Sequence, residues 1–195
     1  MMMKRAIDLF VAAIGLLALS PLFLLIAILV KLDSSGPVFF GQVRIGRRFR
    51  PFRIYKFRTM TRDASSNGGQ LTIGEDARIT RVGRVLRRHK FDELPQLLNI
   101  LLGDMSLVGP RPEVPQYVEL FKTDYSEILS VRPGLTDLAS VKYVDEATIL
   151  AGARDPEDEY RTVILPEKIR LAKLYVRHAS LRFDVAIIAQ TVFRL

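Results

Sequence analysis

The sequence predicts an α-dominated α+β fold: an N-terminal re-entrant membrane helix hairpin joined to a small globular domain with interfacial amphipathic helices. Three observations predict it. Residues Ala6 to Val30 are almost continuously apolar, with Asp8 the single charge and Ser20-Pro21 interrupting the run near its middle. Beyond that run, apolar residues recur mostly at helical spacing. Strand-like alternation is confined to short pieces at Val38-Phe39-Phe40 and Phe52 to Phe57.

The N-terminal run outlasts a signal peptide, whose apolar core spans roughly 7–15 residues. A simple span of about 20 residues is the plain alternative. Two details favour a segment that enters and returns. Pro21 removes a backbone donor and crowds the preceding turn, so a helix kinks or breaks there. Lys4 and Arg5 precede the run, while Lys31, Arg44, Arg47, Arg48 and Arg50 follow it. Basic flanks favour the cytoplasmic side, so both ends prefer the same face. The Asp8 carboxylate, costly in hydrocarbon, is expected to pair with Lys4 or Arg5. Asp33-Ser34-Ser35-Gly36-Pro37 is a turn signal, and it divides the chain into a membrane segment, residues 1–32, and a globular domain, residues 33–195.

Within the globular part, residues Asp63 to Gly69 read as a surface loop. Ile79, Val82 and Leu86 mark a helix whose remaining positions are largely arginine. Leu94, Leu97, Leu98 and Leu101 mark a second helix closing at Gly103. Pro110, Pro112, Pro115 and Pro133-Gly134 punctuate the next stretch. A third helix is expected from about Pro166 to His178. Phe183 to Leu195 is apolar enough for a core helix or one lying against a bilayer.

The 195 residues are 49% hydrophobic and 26% charged, which excludes both a disordered chain and a wholly embedded one. The net charge of +8 points to an anionic partner. With no cysteine and two scattered histidines, His89 and His178, thiolate and histidine-rich metal sites are excluded. No nucleotide-binding glycine loop and no nucleic-acid motif is present, so a nucleic-acid partner is not expected.

The residues best suited to chemistry are Asp92 and Glu93. Asp92 occupies a plausible N-cap position before an apolar helix, and both acids could serve only to cap it. The surroundings argue for more. Six lysines and arginines and no acid lie between Ala77 and Phe91, so a drawn-in anion would meet the acids directly. A carboxylate can attack a phosphoanhydride, and a Mg²⁺ ion on Asp92 and Glu93 would relieve the repulsion between the two. Arg111, clamped between Pro110 and Pro112, presents a guanidinium with little entropy cost, suited to phosphate. From Gly41 to Arg62 eight basic residues interleave with aromatics. Arg44, Arg47, Arg48 and Arg50 read as a belt for anionic headgroups, whereas Lys56 and Arg58 share one face of an alternating stretch and are further candidates for phosphate. A non-catalytic membrane adaptor with a lipid-binding basic surface is the competing reading.

Six segments in order resemble the bacterial sugar transferase family, the monotopic polyprenyl-phosphate phosphoglycosyl transferases. They are Lys4-Arg5-x-x-Asp8, Ser20-Pro21, Tyr55-Lys56-Phe57-Arg58-Thr59-Met60, Asp92-Glu93-Leu94-Pro95-Gln96, Gly103 to Pro112, and Arg132-Pro133-Gly134-Leu135-Thr136. The resemblance covers nearly the whole chain and is to the small, catalytic-core form. It implies transfer of a phosphosugar from a UDP-sugar to a polyprenyl phosphate such as undecaprenyl phosphate, with release of UMP. It further implies Asp92 as nucleophile, Glu93 as its partner, Mg²⁺ as cofactor, and Lys56, Arg58 and Arg111 as phosphate contacts. The setting it implies is the cytoplasmic face of the bacterial inner membrane, at the start of exopolysaccharide or lipopolysaccharide assembly; a homodimer is compatible with it. Two places depart from the family's usual pattern. Asp137-Leu138-Ala139-Ser140 stands where glycine and, after the alanine, glutamine are common, and His89-Lys90-Phe91 is bulkier and more basic than usual. Neither departure is expected to touch the Asp92-Glu93 pair.

Overall fold

The structure, a computed structural model, describes residues 2–61, 71–74 and 76–194. Helices dominate, and the strands among these residues form two separate two-stranded sheets. The loop expected at Asp63 to Gly69 lies outside the described residues.

Strands β1 (Phe39–Ile45) and β2 (Pro51–Phe57) form an antiparallel hairpin with Phe40 opposite Lys56 and Gln42 opposite Ile54. The hairpin is longer than the alternating pieces of sequence because cross-strand pairing, not alternation alone, holds its outer residues. Its tip is fastened to the body: the Arg48 amide donates to Leu129 O at 2.8 Å and Arg47 Nε to Ser130 O at 2.9 Å. Arg44 pairs with Glu113 at 3.0 Å. Of the four arginines expected to face headgroups, Arg44 and Arg47 are therefore spent inside the protein, and Arg48 and Arg50 remain exposed.

Helix α1 (Met2–Ala18) and helix α2 (Ser20–Asp33) meet at Leu19 with a bend of 61°. Ser20 Oγ donates to Leu17 O at 2.8 Å and Pro21 opens α2, so the break falls where the sequence places it. Among the described residues no single helix is long and apolar enough to cross a membrane, whereas the bent pair taken together meets that test of length and composition. The third helix of the site region, α3 (Arg81–Arg88), is capped by Thr80, whose hydroxyl accepts from Gly83 N at 3.0 Å. Helix α4 (Gln96–Leu102) closes at Gly103, which takes the left-handed conformation at φ +96°.

Each N-terminal helix buries one strip. Ala12 of α1, with Leu16 and Leu19, packs on Ile54 of β2 and on Leu97 and Ile100 of α4. Ile26 and Val30 of α2 pack on Phe57 and on Leu86 of α3. Phe10, Leu17, Leu24 and Leu32 point outward, each at least 65% exposed.

Strand β3 (Ser106–Val108) pairs in parallel with β4 (Gly134–Thr136). The two glycines at this crossing need their missing side chains: a Cβ on Gly134 would lie 2.1 Å from Gly109 N, and one on Gly109 would lie 2.5 Å from Arg132 O. Asp8 pairs with neither Lys4 nor Arg5, contrary to the sequence expectation. Its buried carboxylate accepts from Ser106 Oγ at 2.7 Å and from Leu107 N at 3.2 Å, so it stitches α1 to the edge of β3. Arg5 instead donates to Ile100 O at 2.8 Å and Met105 O at 3.2 Å, placing a cation on the closing carbonyls of α4. Lys4 donates to Asp184 at 2.6 Å.

The rest is a helical cap. It comprises α5 (Pro115–Leu120), α6 (Lys122–Ile128), α7 (Leu138–Lys142), α8 (Glu146–Ala151), α9 (Pro156–Glu159), a π-type turn (Tyr160–Ile164), α10 (Leu165–His178) and α11 (Leu181–Arg194). Tyr117, Tyr125, Ile128, Leu150, Ile164 and Leu165 form its core. The helices expected near residues 166–178 and 183–195 are α10 and α11. Asp184 of α11 is buried and accepts from Lys4 and from Tyr175 OH at 2.7 Å, so α11 is anchored to both α1 and α10. Val185, Val192 and Phe193 of α11 are exposed.

One side chain joins helix to hairpin. Asn99, fully buried in α4, accepts from Tyr55 N at 3.0 Å and donates to Arg53 O at 2.8 Å, so its amide pairs with the edge of β2 as a further strand would. Asn99→Leu leaves both of these backbone groups unpaired, at about 1–3 kcal/mol each. The expected result is a clear fall in the denaturant midpoint at unchanged m-value; a midpoint equal to that of the wild type would refute this role.

Candidate active site

Three segments converge at Glu93. The first is the end of β2, where Lys56 faces out of the hairpin. The second is the short 3-10 turn Phe91–Glu93, entered through Lys90 in the left-handed conformation at φ 56°. The third is the loop after β3, where Pro110 and Pro112 hold Arg111. Lys56 Nζ donates to Glu93 Oε1 at 2.6 Å. Arg111 Nη2 donates to the same oxygen, and Nη1 reaches Oε2 at 3.3 Å. Both carboxylate oxygens of Glu93 are thus engaged by cations.

Asp92 is different. It is 6% exposed, yet its carboxylate accepts no hydrogen bond from the described residues. It does not cap the helix, as the sequence suggested: α4 begins at Gln96 behind Pro95, and the residues from Phe91 to Glu93 form a separate turn. Lys56, Arg87 and Lys90 surround it at longer range. Arg87, one of the arginines of α3 not singled out by sequence, is half-buried and held by Thr59 Oγ1 at 2.8 Å and Thr72 Oγ1 at 3.1 Å. Its spacing of four from Gly83, which packs directly on Thr59 O, is the signal that could have separated it from its exposed neighbours.

The two acids are pushed apart electrostatically. Burial raises Asp92 above the usual aspartate range; Lys56 opposes that, and the negative Glu93 adds to it. Burial would raise Glu93 too, but Arg111 and Lys56 outweigh it and hold Glu93 well below the usual carboxylate range. Burial lowers the Lys56 ammonium against the pull of Glu93. Glu93 raises Arg111, which stays charged throughout. The result is one carboxylate locked as an anion and a second that is buried and unliganded, an arrangement that fits a nucleophile beside its positioning partner.

Of the residues singled out by sequence, Lys56, Asp92, Glu93 and Arg111 come together. Arg58 does not join them. The alternation of β2 stops at Phe57, and the Arg58 guanidinium turns the other way to donate to Ser34 O at 2.6 Å, to Val30 O at 3.2 Å and to Pro37 O. It closes the C-terminal end of α2. Lys4, Arg5, Asp8, Ser20 and Pro21 shape the N-terminal helices, as described above. The departures Asp137 and Ser140 lie closer to the site than expected. Asp137 caps α7 by accepting from Ser140 N at 2.7 Å, and it also accepts from Arg111 N at 3.2 Å. Arg111 Nη1 reaches Ser140 Oγ at 3.5 Å. Both therefore act on the residue that clamps Glu93. His89 packs against Phe91, with ring centroids 5.7 Å apart.

The two shifts have opposite consequences for stability. Glu93, depressed in the folded state, contributes stability above the unfolded pKa that is lost as pH falls through its folded value. Asp92, raised, costs stability wherever it is ionised, and that cost is relieved as pH falls through its folded value. Asp92→Asn is therefore expected to leave the melting temperature at pH 7 equal or higher. Glu93→Gln should destabilise by about 2 kcal/mol, below the about 3–5 of a fully buried pair because Arg111 is partly solvated. Paired thermal melts at pH 7 and at about pH 3.5, below the unfolded carboxylate range, check both signs.

Comparison with known proteins gives a consistent result. The bacterial sugar transferase family model matches residues 1–195. The UDP-N-acetylgalactosamine-undecaprenyl-phosphate N-acetylgalactosaminephosphotransferase of Aeromonas hydrophila is 41% identical over 97% of this chain and 42% of its own length. The exopolysaccharide production protein PSS of Rhizobium leguminosarum bv. phaseoli is 40% identical over 98% of this chain and 94% of its own. The UDP-glucose:undecaprenyl-phosphate glucose-1-phosphate transferase of Caulobacter vibrioides is 39% identical over 97% of this chain and 68% of its own. The chain thus spans less than half of the Aeromonas relative and nearly all of the Rhizobium one. With a match from end to end and relatives near 40% identity, the chain belongs to the bacterial sugar transferase family.

Proposed function

We propose that this protein is a phosphoglycosyl transferase that moves a sugar-1-phosphate from a UDP-sugar to undecaprenyl phosphate and releases UMP, opening the assembly of a surface polysaccharide such as an exopolysaccharide or lipopolysaccharide. The observation that carries the reading is the asymmetry of the acidic pair, with Asp92 buried and unliganded beside a Glu93 locked by Lys56 and Arg111.

Asp92 attacks the phosphorus that bears the sugar. A carboxylate oxygen–phosphorus bond forms, the bond from that phosphorus to the bridging oxygen breaks, and UMP departs with the electron pair. An oxygen of the polyprenyl phosphate then attacks the same phosphorus and displaces the Asp92 carboxylate, which is regenerated. Neither step needs a proton from Glu93, which its two cations keep ionised. Its part is to hold Lys56 and Arg111 in place; each retains further donors for phosphate oxygens. Desolvation makes the Asp92 carboxylate a stronger nucleophile than a solvated one.

The donor set suits Mg²⁺. Asp92 offers hard oxygens not tied up in hydrogen bonds, and Oε2 of Glu93 accepts only one long bond. No cluster of three or more ligating side chains occurs among the described residues, and Mg²⁺ is commonly held by one or two carboxylates with substrate phosphates completing the shell. When bound, it would screen the diphosphate from Asp92 and stabilise the departing phosphate.

A water-soluble donor and a lipid phosphate meet only at a membrane surface. The bent pair α1–α2, with its outward leucines and phenylalanines and its basic flanks, supports a re-entrant seat in the inner membrane with the site on the cytoplasmic face. The relatives carry different sugars in their names, N-acetylgalactosamine and glucose, so membership of the family does not name the donor sugar.

The test is UMP release from a panel of UDP-sugars by detergent-purified protein with undecaprenyl phosphate and Mg²⁺. One donor should be turned over, with loss of at least about a thousandfold in Asp92→Asn and abolition by excess chelator. Undiminished release by Asp92→Asn would eliminate the nucleophile. Full turnover in excess chelator would eliminate the metal. No release from any donor by folded wild-type protein would favour a non-catalytic adaptor.

A further inference from the structure

Arg111 stands between two fixed points of the backbone. Its own N–H donates to Asp137 at 3.2 Å, and the next carbonyl along the chain, Pro112 O, accepts from Arg44 Nη1 at 3.2 Å. The same Arg44 nitrogen donates to Glu113 Oε1 at 3.0 Å. Glu113 is itself held from two more sides, since Val114 N donates to its Oε1 and Tyr160 OH to its Oε2, each at 2.8 Å. On its other edge the Arg44 guanidinium meets Gln42, whose Oε1 accepts from Nε at 3.2 Å and from Nη2 at 2.8 Å. All three guanidinium nitrogens are engaged, so the planar fork has one orientation.

Gln42 and Arg44 lie on the hairpin face that carries Lys56, because Phe40 is the cross-strand partner of Lys56 and alternate residues of a strand share a face. The two cations on Glu93 therefore hang from one hairpin, Lys56 directly and Arg111 through Arg44. Holding the hairpin to the body does not require this contact. The tip is fastened separately, by the Arg48 amide at Leu129 O and by Arg47 at Ser130 O. A backbone bond from Ile45 N to Glu113 O, 3.0 Å, lays β1 beside the segment that follows Arg111. Arg44 extends that contact back to Pro112, the residue that adjoins Arg111.

We propose that Arg44, oriented by Gln42, is a positioning residue for the transfer reaction: it sets where the Arg111 guanidinium stands relative to Lys56, and so how both cations meet Glu93 and the phosphate oxygens of the donor. This rests on the transferase reading above. Among the described residues Arg44 bonds to Gln42, Pro112 and Glu113 and to neither Asp92 nor Glu93, so its effect on the reaction passes through Arg111. A cation misplaced by about an ångström loses much of its effect on the rate, because oriented groups are what such a site supplies.

The experiment is a double-mutant cycle on kcat/KM for UMP release, in detergent, with the UDP-sugar that the wild type turns over, at a temperature where melts show every variant folded. Arg44→Lys keeps a cation for Glu113 and loses the fork to Gln42 and Pro112. It should lower kcat/KM by at least about tenfold. Arg111→Lys should lower it too, and the double variant should fall no further than Arg111→Lys alone, because Arg44 has nothing left to position. Arg47→Ala, which removes a tie of the same hairpin away from Pro112, should keep the wild-type value. Gln42→Leu, which frees the guanidinium but leaves its pair with Glu113, should show a smaller loss that also vanishes in the Arg111→Lys background, and it keeps the test decisive if Arg44→Lys misfolds. Wild-type kcat/KM in Arg44→Lys overturns the proposal and leaves the transferase reading intact. So do losses that multiply in the double variant, or an equal loss in Arg47→Ala, since the effect would then belong to the fold as a whole. Absence of UMP release by the wild type with every donor removes both.

Discussion

The Glu93 carboxylate is the point on which the site depends. It is reached by Lys56 from the hairpin and by Arg111 from the loop after β3, two segments brought to it from far along the chain. A carboxylate buried between two cations tolerates the removal of neither, because each loss leaves an uncompensated charge away from water. The same clamp sets the character of its neighbour. With both cations turned toward Glu93, Asp92 keeps a burial-raised affinity for protons and an unobstructed pair of oxygens. Adjacent carboxylates that would otherwise share one environment are given two.

The clamp is only as firm as the elements that carry it, and polar groups buried between layers fix those elements. Asn99 holds α4 to β2, so the turn bearing Glu93 and the strand bearing Lys56 cannot slide past one another. Asp137 holds the Arg111 backbone, and the close crossing of Gly109 and Gly134 fixes the loop from which Arg111 departs. Apolar packing alone would permit several registers of such short elements. The buried amides and carboxylates permit one.

Much of this was legible in the sequence. Asp92, Glu93, Lys56 and Arg111 stood out because charged residues at the mouth of an apolar helix, in an alternating strand or between prolines have few structural uses. The break at Ser20-Pro21 and the close of α4 at Gly103 followed from backbone chemistry alone. Arg58 was misplaced because the alternation it continues ends at Phe57, and a strand's last residue is set by tertiary contacts. Asp8 was assigned to neighbours in sequence when its partners lie in β3, nearly a hundred residues away. β3 and β4 are three residues each, too short to show a period. Asn99 passed unread inside a leucine-rich helix. Nothing in a sequence says whether a buried amide has found a partner.

The bonds made by Arg5 and Asp8 also bear on how the protein can be handled. The last carbonyls of α4 and the edge of β3 are completed by side chains from α1, and the guanidinium of Arg58 is completed by carbonyls at the end of α2. The N-terminal helices are thus a structural wall of the same unit that bears the acidic pair. A shortened protein that omits them, the usual route to a water-soluble sample, would expose raw apolar faces of α4 and β2 and strand polar groups beneath them. Solubility is better sought by keeping those helices and shielding their outward apolar side chains than by removing them.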